Sequence, residues 1–97
     1  VLVAGDLVVD KRTRRVSVRD TLVVLSAKEF EFLIRLAIEP YRVFTKEELL
    51  REVWGFRALG RTRTLESHAS RLRKKLRVTD DDRYIVNVWG VGYRLLE

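Results

Sequence analysis

A chain of 97 residues, 46% apolar and 35% charged, suits one small globular domain that folds alone with a modest margin. With no cysteine it can hold neither a disulfide nor a thiolate metal site, and a reducing, cytoplasmic setting is expected. The net charge of +6 has one address: residues 61–77 carry seven basic side chains against one acidic, while the rest carries thirteen of each sign, the footprint of an element made for a polyanion.

The opening "VLVAGDLVVD" lacks the basic-then-apolar order of a signal peptide, and no run approaches the roughly 18 apolar residues of a membrane span. Starting on valine and containing no methionine, the chain reads as a domain of a longer protein. Its first quarter alternates in short runs, "LVVD", "RVSV" and "TLVVL", separated by "AGD", "KRTR" and "RD". β-Branched residues with turn residues between them predict a small antiparallel meander. Leu7, Val9, Val16, Val18, Leu22 and Val24 are the expected buried face.

At Ser26 the period changes. "SAKE" is a capping box, in which Ser26 caps the first turn and Glu29 reaches back to the cap's own amide. Phe30, Leu33, Ile34 and Ala37 then mark an amphipathic helix ended by Pro40. A second box, "TKEE" at 45–48, opens a shorter helix with Leu49, Leu50, Val53 and Trp54 inward, and Gly55 stops it. The loop "FRALGRTR" follows, with Thr64 placed to cap a third helix over 64–77. Leu65, Ala69, Leu72 and Leu76, at offsets of 4, 3 and 4, form its narrow apolar seam. "TDDDR" breaks this helix; its aspartates at 80–82 read as a solvated turn or as partners for a neighbouring subunit's basic surface. The tail "YIVNVWGVGYRLL" predicts two short strands joined by a glycine turn at Trp89–Gly92. The whole is one domain over 1–97: a sheet at 1–25, three helices at 26–77 and a hairpin at 84–97.

Opposite the seam of the third helix lie Ser67, Ser70, Arg71 and Lys74. His68 and Lys75 flank that face on one side, Glu66, Arg73 and Arg77 on the other. A DNA major groove fits this layout, since it admits a helix and carries phosphates along both rims. Arg71 is the best candidate for a forked bond to guanine O6 and N7. Ser67, His68 and Ser70 suit adaptable contacts to base edges, with Lys74 on the same reading face. Arg63, Arg73 and Lys75 are better aimed at phosphates, and the amides near Thr64 offer another phosphate a seat. Acidic partners at i+3 or i+4 are missing for His68–Arg71, Arg71–Lys75 and Arg73–Arg77, so this is no self-neutralising surface.

The rival reading is a protein-interaction module whose basic helix docks on an acidic partner; RNA is a weaker variant, because a helix cannot readily read the deep groove of an A-form duplex. Catalysis is not expected. His68 is the only histidine, and Glu66 and Ser67 beside it point elsewhere on a helix. No metal, no cofactor, no membrane and no small-molecule substrate are implied.

In order and spacing over some 70 residues, "LSAKEFEFLIRL", "VFTKEELLREVWG", "RTLESHASRLRKKL" and "VGYRL" closely resemble the DNA-binding effector domain of OmpR/PhoB-type response regulators. The third segment is similar to the family's recognition helix, often R-T-V-D-V-H-I-x-R-L-R-K-K-L. The resemblance implies an α+β fold, a winged helix-turn-helix with an N-terminal four-stranded antiparallel sheet, three helices and a C-terminal β-hairpin wing. It implies that Arg63, Thr64, His68, Arg71 and Arg73 meet double-stranded DNA and that the Trp54 indole bonds a phosphate. By the same resemblance, the loop at 55–62, with Phe56, Arg57, Leu59 and Arg61, touches RNA polymerase or its sigma factor. Homodimers bound head to tail on direct repeats are expected, in a bacterial two-component system; the phosphorylated receiver domain usual in the family does not lie within these residues.

The chain departs from the pattern in places. Family wings commonly read T-V-R-G-x-G-Y, whereas "NVWGVGY" puts Asn87 and Trp89 at two of those positions before the matching Tyr93. Asn87 retains a donor for a phosphate. Trp89 brings no cation to the minor groove, and three roles stand open: contact with sugars, a wedge at a base step, or packing on the hairpin. Ser67 and Ala69 replace larger aliphatic residues. Tyr41 stands where glycine is common, and is strained if that position needs a positive φ.

Overall fold

The computed structural model describes residues 1–78 and 84–97. Four strands, β1 (Leu2–Ala4), β2 (Leu7–Asp10), β3 (Arg15–Val18) and β4 (Thr21–Val23), form the predicted antiparallel meander in chain order. Its inner face carries Ala4, Leu7, Val9, Val16 and Val18, all buried. The expectation for β4 fails: Leu22 and Val24 are 62% and 79% exposed, and Val23 packs on the core instead. The cause is the turn. Arg19 and Asp20 both have positive φ (49° and 65°), the form of a two-residue type I′ turn. Such a turn sets Thr21 opposite Val18 and Val23 opposite Val16, so the odd-numbered residues of β4 share the buried face.

Helix α1 (Ala27–Ala37) begins with the predicted box: the Ser26 hydroxyl accepts from the Glu29 amide, and the Glu29 carboxylate accepts from the Ser26 amide at 2.9 Å. Its buried face is wider than four residues, since Phe32 and Leu36 are fully buried and Ile34 only partly so. After β5 (Phe44–Thr45), the second box opens α2 (Lys46–Leu49), which continues to Trp54 as a π-helical turn. The Gly55 amide lies 3.0 Å from both the Leu50 and Arg51 carbonyls, and its φ of 97° ends the helix as glycine readily does. Tyr41 is not among the residues with positive φ, so the strain considered for it is absent.

The loop "FRALGRTR" is partly helical, with a 3-10 turn at Phe56–Ala58, and α3 (Thr62–Leu76) starts two residues before Thr64. Thr64 is therefore not the cap. Its amide donates to the Arg61 carbonyl at 3.1 Å, and no side chain caps the helix. Leu65, Ala69, Leu72 and Leu76 are all buried, as their spacing requires. Strands β6 (Val86–Val88) and β7 (Gly92–Arg94) form the hairpin and join β5 in a second sheet of order β5-β7-β6. Gly92 lies so close to the Phe44 carbonyl that any side chain would collide with it. The hairpin is tied to the first sheet as well: the Asp6 amide donates to the Tyr84 hydroxyl at 3.0 Å. The aspartates at 80–82 lie outside the described residues.

Candidate nucleic-acid interface

The outward face of α3 brings together most of the residues singled out by the sequence. Arg63, Glu66, Ser67, Ser70 and Arg71 line one shallow depression, and Arg63, Thr64, Ser67, His68 and Arg71 line a second beside it. Ser67, Ser70, Arg71 and Lys74 are exposed, while Thr64 and His68 are half-buried. The helix thus presents two hydroxyls with cations around them.

Behind that face is a column of aromatic rings the sequence did not reveal. Buried Phe32 meets Trp54 edge to face at 6.1 Å, and Trp54 meets His68 the same way at 4.9 Å. His68 Nδ1 lies 2.8 Å from the Thr64 carbonyl, which can only accept, so Nδ1 carries the proton. The Arg71 guanidinium rests against this ring, with Nη2 at 3.3 Å from Nδ1 and 3.4 Å from Nε2. Arg71 is therefore backed by a stack of rings that reaches the core at Phe32. Trp54, His68 and Phe32 are far apart in sequence, and no local pattern announces their contact.

Two cations expected at phosphates also have partners within the protein. Arg73 Nε and Nη2 both donate to the Ile85 carbonyl, at 3.0 and 2.8 Å, clamping α3 to the base of the hairpin. Lys75 Nζ donates to Glu29 Oε1 at 2.6 Å, and Glu29 is only 2% exposed. The geometry explains both. At 100° per residue these positions stand about 80° to either side of the seam, near enough for long stems to fold back on neighbouring elements. Burial raises the Glu29 pKa, but the bonds from Lys75 and the Ser26 amide, with the Lys75 charge, overcome this and hold it below the ordinary value. Glu66 is also partnered, 3.9 Å from Lys46. Arg63, Arg71 and Lys74 are exposed cations of the face.

On the hairpin, Asn87 is exposed and Trp89 is 87% exposed, so packing on the hairpin is ruled out for that indole. Tyr93 is not a surface residue of the wing. It is buried and meets Phe32 edge to face at 6.1 Å; burial and Glu66 push its hydroxyl above the ordinary tyrosine pKa, against the opposing effect of Arg73. In the loop before α3, Phe56 is 74% and Leu59 45% exposed, with Arg57 and Arg61 exposed beside them. Among the described residues there is no cluster of acidic or histidine side chains that could hold a metal, and no helix long and apolar enough to cross a membrane.

A basic helix backed by a helix pair and flanked by a hairpin is a winged helix. Residues 20–95 match the family described as "Transcriptional regulatory protein, C terminal". The chain belongs to this family. It is similar to the transcriptional regulatory protein ResD of Bacillus subtilis, at 43% identity over 96 residues, covering 97% of this chain and 40% of ResD. It is likewise 43% identical over 90 residues to SrrA of Staphylococcus aureus, covering 91% of this chain and 37% of that protein. The chain thus spans about two-fifths of these regulators' length. The DNA-binding domain of the response regulator AdeR, solved in complex with an intercistronic region, superposes with a TM-score of 0.88 at 33% identity, covering 100% of this chain and 99% of that one. The Klebsiella pneumoniae RstA DNA-binding domain, solved in complex with the RstA box, gives 0.86 at 29% identity, covering 98% and 96%. The fold is the winged helix of OmpR/PhoB-type response regulators, and such domains bind DNA as transcription regulators.

Proposed function

We propose that this domain binds double-stranded DNA sequence-specifically by laying α3 in the major groove. The observation that carries the reading is the outward face of that helix, where Arg71 is braced by the Phe32–Trp54–His68 column beside Ser67 and Ser70. Arg71 forks to a guanine, while Ser67, His68, Ser70 and Lys74 adapt to neighbouring base edges. Arg63, the amides of the first turn near Thr64 and the Trp54 indole take phosphates. Residues 1–97 act as one unit, with the wing residues Asn87 and Trp89 alongside the adjoining groove.

The loop at 55–62 is the contact for RNA polymerase or its sigma factor; exposed Phe56 and Leu59, interleaved with Arg57 and Arg61, supply apolar area beside basic side chains. Two copies bind head to tail on direct repeats, with half-sites about one helical turn apart.

Selection of bound duplexes from a random pool tests this directly, a recovered direct repeat being the expected result. With Arg73 and Lys75 engaged by partners within the domain, about three to five phosphates are neutralised per copy, giving a log–log salt slope near −2.7 to −4.5. A flat salt response, with no sequence recovered, would favour an acidic protein as the partner of α3.

A further inference from the structure

A forked bond to a base edge accepts one arrangement of an arginine that otherwise samples many, and α3 narrows the choice for Arg71. Its guanidinium lies against the imidazole of His68, three residues earlier, with Nη2 at 3.3 Å from Nδ1 and 3.4 Å from Nε2. The Nδ1–H donates to the Thr64 carbonyl at 2.8 Å, so Nε2 is the ring nitrogen with a lone pair for that guanidinium. The same bond ties the ring to its own helix, which sets the surface that Arg71 meets.

Trp54 holds the ring from another element. The two meet at 4.9 Å with planes 72° apart, and Trp54 in turn meets Phe32 at 6.1 Å and 74°. Phe32 is fully buried and also meets Tyr93 of β7, so the stack stands where α1, α2 and the hairpin converge. The place of Trp54 is held as well. It ends the π-helical turn Leu50–Trp54, a widening often found at functional sites, and the Lys28 ammonium on α1 donates to the Val53 carbonyl at 2.9 Å. None of these contacts needs DNA, so the surroundings of Arg71 are in place before a duplex arrives.

We propose that Trp54 is a positioning residue for base reading: through His68 it sets how strongly Arg71 prefers guanine, while touching no base. This rests on the major-groove reading above and adds to the phosphate contact given there to the indole. The two jobs have different signatures. Losing a phosphate contact weakens every sequence alike. Losing the support under Arg71 frees a side chain that must be ordered again on binding, and the cost falls on the sequence that uses the fork. An edge-to-face pair is worth about 2- to 12-fold in an equilibrium, which bounds the loss of preference.

Substitutions at Trp54 separate the two jobs on the intact domain. Two duplexes are compared: the selected one, and one altered at the base pair whose preference Arg71→Ala abolishes. Trp54→Phe keeps a ring against His68 and loses the indole N–H. Both duplexes should then weaken by one common factor, with the ratio of affinities within about twofold of wild type. Trp54→Leu loses the ring as well, and the ratio should fall about 2- to 12-fold. In an Arg71→Ala background the two variants should give the same ratio, since the link in which they differ no longer leads to a base. Relaxation of the Arg71 Nε–H in the free wild-type domain is an independent measurement, with an order parameter above about 0.6 expected, and it decides the matter should Trp54→Leu not fold. A wild-type ratio in Trp54→Leu leaves the indole a phosphate contact only and overturns the inference, as does an Arg71 order parameter below that value. Loss of base preference in Arg71→Ala would still uphold the reading of α3. Failure of wild type to bind any duplex overturns both.

Discussion

Replacing Arg73 by alanine separates an internal clamp from a phosphate ligand. In the folded domain the guanidinium gives two hydrogen bonds to one carbonyl, at 3.0 and 2.8 Å, and that carbonyl belongs to Ile85, itself 1% exposed. Ile85 is also the one β-branched residue with positive φ (63°) among the described residues, a conformation costing about 1–2 kcal/mol that persists only where its surroundings enforce it. A charge-assisted bond of this kind contributes about 1.5–3 kcal/mol, and its loss leaves a buried acceptor without a partner. Because Arg73 is itself half-exposed, about 2 kcal/mol is the reasonable net figure. For a domain near 100 residues this corresponds to a fall in Tm of about 8–16 °C. Arg73→Lys should recover part of it, since an ammonium reaches the carbonyl without the fork. Thermal unfolding followed by circular dichroism gives the stability, and duplex titration at several salt concentrations gives the slope. The clamp predicts a large loss of stability with the salt slope unchanged. A Tm within about 2 °C of wild type, together with a slope shallower by about 0.9, would refute it.

Arg71→Ala should relax preference at one base pair, costing about 1–3 kcal/mol on the best sequence and little on others, as read by competition between operator variants; a uniform loss would remove it from base reading. Glu29 has a folded pKa below its ordinary value of 4.5, so its contribution is complete above that value and is lost as pH falls through the lowered one. Denaturant midpoints measured from pH 6 downward should therefore fall less steeply for Glu29→Gln than for wild type, and parallel curves would count against the Lys75–Glu29 pair. Gly92→Ala should destabilise by about 2–4 kcal/mol, because the new methyl meets the Phe44 backbone and not a movable side chain; a wild-type Tm would mean the two strands are not so closely apposed. Thr45→Ala removes the hydroxyl that accepts from the Glu48 amide at 3.1 Å and should cost about 1 kcal/mol by chemical denaturation.

What could be read from the sequence was what is decided locally. Both capping boxes join residues three apart, and the seam of α3 is a helical repeat, so each was visible without any knowledge of the fold. The face of β4 is not legible in the hydrophobic pattern, because it depends on the backbone of Arg19 and Asp20. Thr64 has the chemistry of a cap, but the chain had already turned into the helix at Thr62. The bonds that Arg73 and Lys75 make within the protein are not legible locally, because their partners stand 12 and 46 positions away. A long cation at the margin of a helix face takes whichever acceptor the tertiary structure brings near, and composition is silent on which. The Trp54–His68 contact was hidden for the same reason.

The tight corner between β3 and β4 also bears on how such a domain can change its length. Because alternate side chains of β4 face opposite ways, adding one residue at Arg19–Asp20 would exchange Val23 for Leu22 and Val24 beneath the sheet, unless a bulge absorbed it. Adding two would restore the original order. Natural variants of this hairpin should accordingly grow by even steps, and Leu22 with Val24 forms a spare hydrophobic pair that a single odd insertion would bring into use.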